Sequence, residues 1–147
     1  FKIMTDKKLV VIYWENDPQR QKIFDLAKDA QNIEFITLPW NVWFTDYVWN
    51  SIATIYIPID EDFGMSPVES MAAGKPVIWV NDGWLKESII DGKTGILIDA
   101  EAKVEDIVKA VQTLTPKKSL EMKLDCESRA WDFSLQVFDR EINNIVN

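Results

Sequence analysis

Residues 53–80 constrain the fold more than any other part of the chain, because they alternate between strand-like and helix-like segments. The apolar run ATIYIPI leads into an acidic loop, and Ser66-Pro67-Val68-Glu69 then opens a helix that ends at Gly74. The run PVIWV, from Pro76 to Val80, reads as the next strand. Two strands joined by a crossover helix form a parallel pair, so this passage predicts an α/β fold.

The same alternation continues on both sides of this passage. Buried strands are predicted at Lys8 to Trp14, at Ile33 to Thr37 and at Gly95 to Ile98. A helix is predicted from Asp17 to Ala30, and its expected inner face carries Ile23, Phe24, Leu26 and Ala27. Residues 103–147 read as a helical tail whose last helix spans Ser134 to Val146. The predicted fold is a Rossmann-like parallel sheet flanked by helices, with a helical C-terminal tail.

Composition limits the partners of this chain. With 147 residues, 47% of them hydrophobic, the chain is expected to form a single domain over residues 1–147. The formal net charge of −8 and the lack of a long basic run argue against nucleic acid as a partner. No transmembrane segment or secretory signal is recognised in the sequence, which favours a cytoplasmic location.

The residue types also limit the chemistry. The chain has no histidine, so a zinc site or a nucleophile activated by histidine is not expected. Cys126 is the only cysteine and is interpreted as an apolar filler in a reducing compartment. The triplet Asp60-Glu61-Asp62 resembles a metal-binding acidic motif, but a solvated acidic loop is the simpler interpretation of Asp60 and Asp62. We expect no metal and no cofactor.

Glu61 and Glu69 lie eight positions apart around the loop that opens the helix. Glu69 has an ordinary explanation, because Ser66 as N-cap, Pro67 at the first helical position and Glu69 three residues after the cap would form a capping box. Glu61 has no such explanation, since it follows a parallel strand at its carboxyl end, where ligands of open α/β sheets bind. The first turn of the helix also presents unpaired N–H groups that can bind phosphate.

This stretch is similar to the nucleotide-sugar domain of retaining GT-B glycosyltransferases of the group 1 family. The similarity rests on the Glu61–Glu69 spacing, the Phe63-Gly64 pair, and the passages SMAAGKPVI and GWLKESIIDGKTGILI. It implies that Glu61 is the catalytic residue that contacts the donor sugar, while Glu69 holds the ribose hydroxyls. It also implies a set of further donor-binding positions, which are Phe63, Gly64, Met65, Ser66, Leu38, Trp40 and Gly83.

The reaction that this resemblance implies is transfer of a sugar from a nucleotide-diphosphate donor to an acceptor hydroxyl with retention. The sequence EDFGMSPVE is similar to that of enzymes that use GDP-mannose, and it favours this donor and a role in polysaccharide biosynthesis. Metal-independent chemistry is implied as well. Trp84 follows Gly83 where the family has a second glycine, and this tryptophan would crowd or cover the donor diphosphate.

The resemblance further implies that parts of the family's enzyme are missing from this chain. The first strand and helix of the nucleotide domain, which carry an Arg and a Lys for the diphosphate, have no equivalent before Lys8. Their loss predicts a break in the sheet between the first strand and the strand beginning at Ala53. The N-terminal acceptor domain is also expected to be missing, together with any peripheral membrane contact made through the full enzyme. The isolated chain is therefore expected to be inactive.

An alternative from another class is a non-catalytic Rossmann-like module that binds a partner through its aromatic segment. The aromatic residues Trp43, Phe44, Tyr47 and Trp49 repeat at helical spacing, which favours packing. If they are exposed, they favour the interaction module instead. A sugar-nucleotide epimerase or dehydrogenase is disfavoured, because no G-x-G-x-x-G sequence follows any strand.

Overall fold

The computed structural model describes residues 1–13, 15–37, 44–57, 65–81 and 87–146. The chain divides into two compact units, Phe1–Tyr47 and Val48–Asn147. A π-helical turn, Phe44–Val48, spans the boundary between them. Each unit is described by itself.

The first unit is a parallel βαβ arrangement. Strand β1 (Leu9–Ile12) pairs in parallel with strand β2 (Ile33–Ile36), and helix α1 (Arg20–Ala27) connects them. Apolar residues dominate both strands, and most of them are half-buried. Three rings pack edge to face beside them, with centroid distances of 5.1 Å for Tyr13–Phe24 and 4.7 Å for Phe24–Phe35.

The Asn32 side chain organises the start of the chain. Its amide donates to the backbone carbonyl oxygens of Phe1, Met4 and Lys7 at 2.9, 3.0 and 2.8 Å. Leu26 differs from the prediction for α1, because 66% of it is exposed rather than packed on the inner face. The eight-residue helix is shorter than the predicted span and has no buried residue. Its half-buried side consists of Ile23, Phe24 and Ala27, and Leu26 does not lie on it.

The second unit contains a parallel sheet of strand order β3-β4-β5, formed by Thr54–Tyr56, Val77–Val80 and Gly95–Ile98. All of β4 is buried, since it has a neighbour on each side. Among the described strands, β1 and β3 belong to different sheets. The α/β prediction is confirmed.

Helix α2 (Met65–Ala72) connects β3 to β4 and packs against helix α4 (Pro116–Trp131). The hydroxyl groups of Thr54 and Ser70 share a hydrogen bond of 2.8 Å, which fixes α2 on one face of the sheet. Helix α4 is anchored by Ser119, whose Oγ donates to the carbonyl oxygen of Ile52 at 2.5 Å. Cys126 is fully buried in α4, as the apolar-filler interpretation predicted.

The predicted helical tail consists of α3 (Val104–Thr113), α4 and α5 (Leu135–Val146). Helix α5 has no buried residue. Its large apolar side chains are exposed, namely Leu135, Phe138, Ile142, Ile145 and Val146. Trp49 also departs from the packing predicted for the aromatic segment, since 62% of it is exposed. The π-helical turn ends at Val48, so Trp49 does not continue the helical face on which the packing prediction depended.

Candidate functional site

Three of the predicted site residues lie in the described part of the chain, and all three belong to helix α2. Met65 and Ser66 lie in its first turn, and Glu69 lies one turn further on. The others fall outside the described residues, namely Leu38, Trp40, Glu61, Phe63, Gly64 and Gly83. Helix α2 follows the carboxyl end of β3 in a parallel sheet, which is the edge at which ligands of such sheets bind.

The capping box predicted for this helix is wrong. Met65 already belongs to α2, so Ser66 is a residue of the helix and cannot be its N-cap. Pro67 still lies in the first turn, where its missing N–H costs no intrahelical hydrogen bond. Glu69 therefore has no capping role that would explain a glutamate at this position.

The carboxylate of Glu69 is incompletely satisfied. Its Oε2 atom is buried and has no hydrogen-bond partner among the described residues, although the residue as a whole is only half-buried. Burial raises the pKa of this carboxyl group above its ordinary value of 4.5. A buried oxygen without a donor is unfavourable in the free protein and is suited to accept hydrogen bonds from a ligand hydroxyl.

An aromatic pair lies near the carboxyl end of the sheet. Tyr56 and Trp79 are register partners on β3 and β4, and their rings stack with centroids 4.8 Å apart and an interplanar angle of 27°. The indole Nε1 of Trp79 is buried without a hydrogen-bond partner. Thr54 and Tyr56 are two residues apart on one strand, so both point to the sheet face that α2 covers.

Glu87 and Ser88 are held by a residue that the sequence did not single out. Arg129 of α4 donates from Nη2 to the carbonyl oxygen of Glu87 and from Nε to that of Ser88, the latter at 3.1 Å. The same guanidinium pairs with Asp132 at 2.7 Å. Ser88 is buried, and in the part of the chain that the structure describes its Oγ has no hydrogen-bond partner. Since these contacts join residues more than forty positions apart, no local sequence pattern signals them.

No group of three or more His, Cys, Asp or Glu side chains in the described ranges could hold a metal ion. No helix in that part of the chain has the length and apolar character needed to cross a membrane.

Solved structures define the class of fold. A sucrose-phosphate synthase from Thermosynechococcus elongatus aligns with 95% of this chain and 37% of its own, with a TM-score of 0.77 and 21% identity. The Anabaena Alr3699/HepE structure in complex with UDP aligns with 95% of this chain and 40% of its own, with a TM-score of 0.75 and 14% identity. The chain thus has the α/β fold of GT-B glycosyltransferases.

The family follows from the sequence. The family model described as "Glycosyl transferases group 1" matches residues 3–131, so the chain belongs to this family. This confirms the family to which the sequence was assigned by resemblance.

Curated relatives include two alpha-1,3/1,6-mannosyltransferases named ALG2. The protein from Dictyostelium discoideum is 40% identical over 100 residues, which cover 66% of this chain and 23% of the relative. The protein from Rhizomucor pusillus is 42% identical over 102 residues, which cover 69% of this chain and 17% of the relative. A D-inositol 3-phosphate glycosyltransferase from Paenarthrobacter aurescens is 43% identical over 60 residues, covering 36% of this chain and 14% of the relative. The chain thus spans less than a quarter of the length of these relatives.

Proposed function

We propose that this chain is the donor-binding part of a retaining glycosyltransferase that transfers mannose from GDP-mannose to an acceptor hydroxyl. The observation that carries the proposal is the buried, unpartnered Oε2 of Glu69, on the helix that follows the carboxyl end of β3. The relatives named mannosyltransferases support the donor sugar. Other relatives are named D-inositol 3-phosphate glycosyltransferase and trehalose synthase, so a donor sugar other than mannose is the main alternative.

In this proposal, Glu69 accepts hydrogen bonds from the ribose hydroxyls, which gives its Oε2 the partners that it lacks in the free protein. The N–H groups of the first turn of α2, where Met65 and Ser66 lie, face the diphosphate. Glu61 contacts the donor sugar. Positioning and stabilisation of the departing diphosphate then supply the rate enhancement, with no metal in the chemistry.

The proposal is tested by titrating the chain with GDP, UDP and GDP-mannose while backbone amide resonances are followed by NMR. We expect shifts at Met65, Ser66 and Glu69, and tighter binding of GDP than of UDP. Glu69→Gln should weaken GDP binding by about tenfold, the loss expected when a charged acceptor of two hydroxyls becomes neutral. Glu105→Gln, in the first turn of α3, is the matched control and should leave GDP binding unchanged.

Equal loss in both variants, or shifts that avoid α2, would contradict the assigned site. Tighter binding of UDP would contradict GDP-mannose as the donor while leaving the site itself supported. Sugar release from GDP-mannose by the isolated chain is expected to stay at background. Measurable turnover by this chain alone would contradict the proposal that it is only the donor-binding part.

A second candidate is a module that binds a partner protein without catalysis. The exposed Trp49 and the wholly unburied helix α5 favour it. The titration separates the two candidates, because a non-catalytic module has no reason to recognise one nucleotide base. The second candidate would be favoured if the chain bound neither GDP nor UDP, or bound both with the same affinity, and also self-associated in analytical ultracentrifugation.

A further inference from the structure

A cavity of about 550 Å³ lies within the second unit. Its walls are the segment from Trp49 to Ile52, the end of α2 with the turn after it, and the first half of α4. The residues from Ala72 to Lys75 precede β4, and Ile52 precedes β3, so the cavity lies towards the amino ends of these strands. The proposed donor site is at their carboxyl ends. The volume falls within the range of roughly 300–1,000 Å³ that is typical of small-molecule sites.

The charged groups that line this cavity are Lys75, Lys123 and Glu127. The ammonium of Lys123 lies 3.7 Å from the Glu127 carboxylate. None of the ion pairs formed among the described residues includes Lys75, which is half-buried. Burial and then the nearby charge of Lys123 lower the pKa of Lys75. With two lysines and one glutamate in its lining, the cavity carries a net positive charge in a chain whose overall charge is −8.

The remaining wall is apolar. Three large apolar side chains contribute to it and all are exposed, Trp49 to 62%, Leu120 to 72% and Ile52 to 37%. An exposed tryptophan beside two ammonium groups offers a flat stacking surface next to positive charge. Such a combination suits a molecule with a ring at one end and an anionic group at the other.

We infer that this cavity binds a small organic anion whose ring-containing body packs on Trp49 and Leu120 and whose phosphate or carboxylate group pairs with Lys75. The anion supplies the counter-charge that no described carboxylate gives to Lys75. Since the chain as a whole repels anions, affinity depends on the local lysines and falls as ionic strength rises. This site is separate from the proposed donor site, and its occupant is not the nucleotide sugar.

The test is an NMR titration of the chain with phenyl phosphate, benzoate and inorganic phosphate. We expect phenyl phosphate or benzoate to shift the amides of Ser51, Ala73 and Leu120 with a Kd near or below about 10 mM, which is weak but measurable binding. Whichever of these two binds more tightly identifies the anionic group. Inorganic phosphate should bind at least about tenfold more weakly, because it lacks the apolar body.

Lys75→Gln and Trp49→Ala should each weaken phenyl phosphate binding by about tenfold, the loss of one charge-assisted or one stacking contact. Lys117→Gln and Trp131→Ala are the matched controls on α4, since Lys117 pairs with Glu121 and neither residue lines the cavity. Lys123→Gln provides a second cationic variant if Lys75→Gln does not fold.

Several outcomes would overturn the inference. One is the absence of shifts at Ser51, Ala73 and Leu120 with all three probes. A second is inorganic phosphate binding as tightly as phenyl phosphate, and a third is equal loss in the control variants. Displacement of phenyl phosphate by GDP would contradict the separation of the two sites. The result is independent of the donor titration, so failure of one proposal is distinguishable from failure of the other.

Discussion

Gly74 and Lys123 meet so closely that a Cβ atom on Gly74 would lie 2.8 Å from Cγ of the Lys123 side chain. Gly74 also has a φ of 70°, a left-handed conformation that is strained for other residues. It terminates α2, and its N–H donates to the carbonyl oxygen of Met71 at 2.8 Å. The end of α2 can therefore approach α4 only because residue 74 has no side chain.

Because of this contact, we expect Gly74→Ala to lower the free energy of unfolding more than Gly92→Ala does. Both glycines have left-handed φ values, 70° and 74°, but nothing lies within 4 Å of a Cβ built on Gly92. Backbone strain alone costs about 1 kcal/mol, and the clash with Lys123 should add about 1 kcal/mol more at residue 74. Urea unfolding of the two variants measures the difference, and equal losses would show that Lys123 moves aside without cost.

Ser119→Ala is expected to lower the free energy of unfolding by about 1 kcal/mol, because it removes the part-buried hydrogen bond from the Ser119 hydroxyl to the carbonyl oxygen of Ile52. Ser128→Ala on the exposed side of the same helix should change stability by less than about 0.5 kcal/mol. Urea unfolding followed by circular dichroism gives both values. Because alanine favours a helix more than serine does, helix propensity cannot cause a loss in either variant. A loss in Ser128→Ala as large as that in Ser119→Ala would contradict the assignment of the effect to the Ser119–Ile52 hydrogen bond.

Glu69→Gln should stabilise the free protein near neutral pH, although it weakens nucleotide binding. Because the pKa of Glu69 is raised on folding, its favourable contribution is fully present below the unfolded value of 4.5 and is lost as pH rises through the folded value. The neutral amide avoids this loss. The free energy of unfolding is expected to rise by roughly 0.5–1 kcal/mol at about pH 7. This is at the low end for an unpaired polar group, because Glu69 is only partly buried.

The measurement is urea unfolding of Glu69→Gln and the unchanged chain at about pH 7 and about pH 4, with the difference expected to shrink at the lower pH. Glu105→Gln again serves as the control and should show no stabilisation. A stability gain that is the same at both pH values would refute the assignment of the effect to ionisation of Glu69.

Cys126 should be unreactive towards alkylating reagents in the folded protein. The residue is fully buried, and burial, followed by the charges of Asp125 and Glu127, raises the pKa of its thiol to about 12. Since the thiolate is the reactive form, iodoacetamide at about pH 8 should label it only after denaturation. Mass spectrometry of native and urea-unfolded samples shows the difference, and rapid labelling of the native chain would contradict it.

Several elements were predictable from the sequence because they depend on local patterns. The last strand was predicted at Gly95 to Ile98 and lies there, since an apolar run follows the turn that contains Gly92. The parallel sheet was predictable for the same reason. The N-cap assigned to Ser66 was wrong, because the helix includes Met65, and a capping pattern does not reveal where the preceding loop enters the helix.

The sequence also determined the family, since the family depends on residue types at fixed spacing along one stretch of chain. That Glu69 holds the donor stays a prediction. Only the tertiary structure decided that Glu69 Oε2 is buried without a partner and that Trp49 is exposed. It also decided that Lys75 and Lys123 share a cavity. These properties arise from contacts between α2, α4 and the segment before β3, which lie up to 67 positions apart, as in the bond from Ser119 to Ile52. Desolvation and local charge depend on such distant neighbours, and the order of residues along the chain does not specify them.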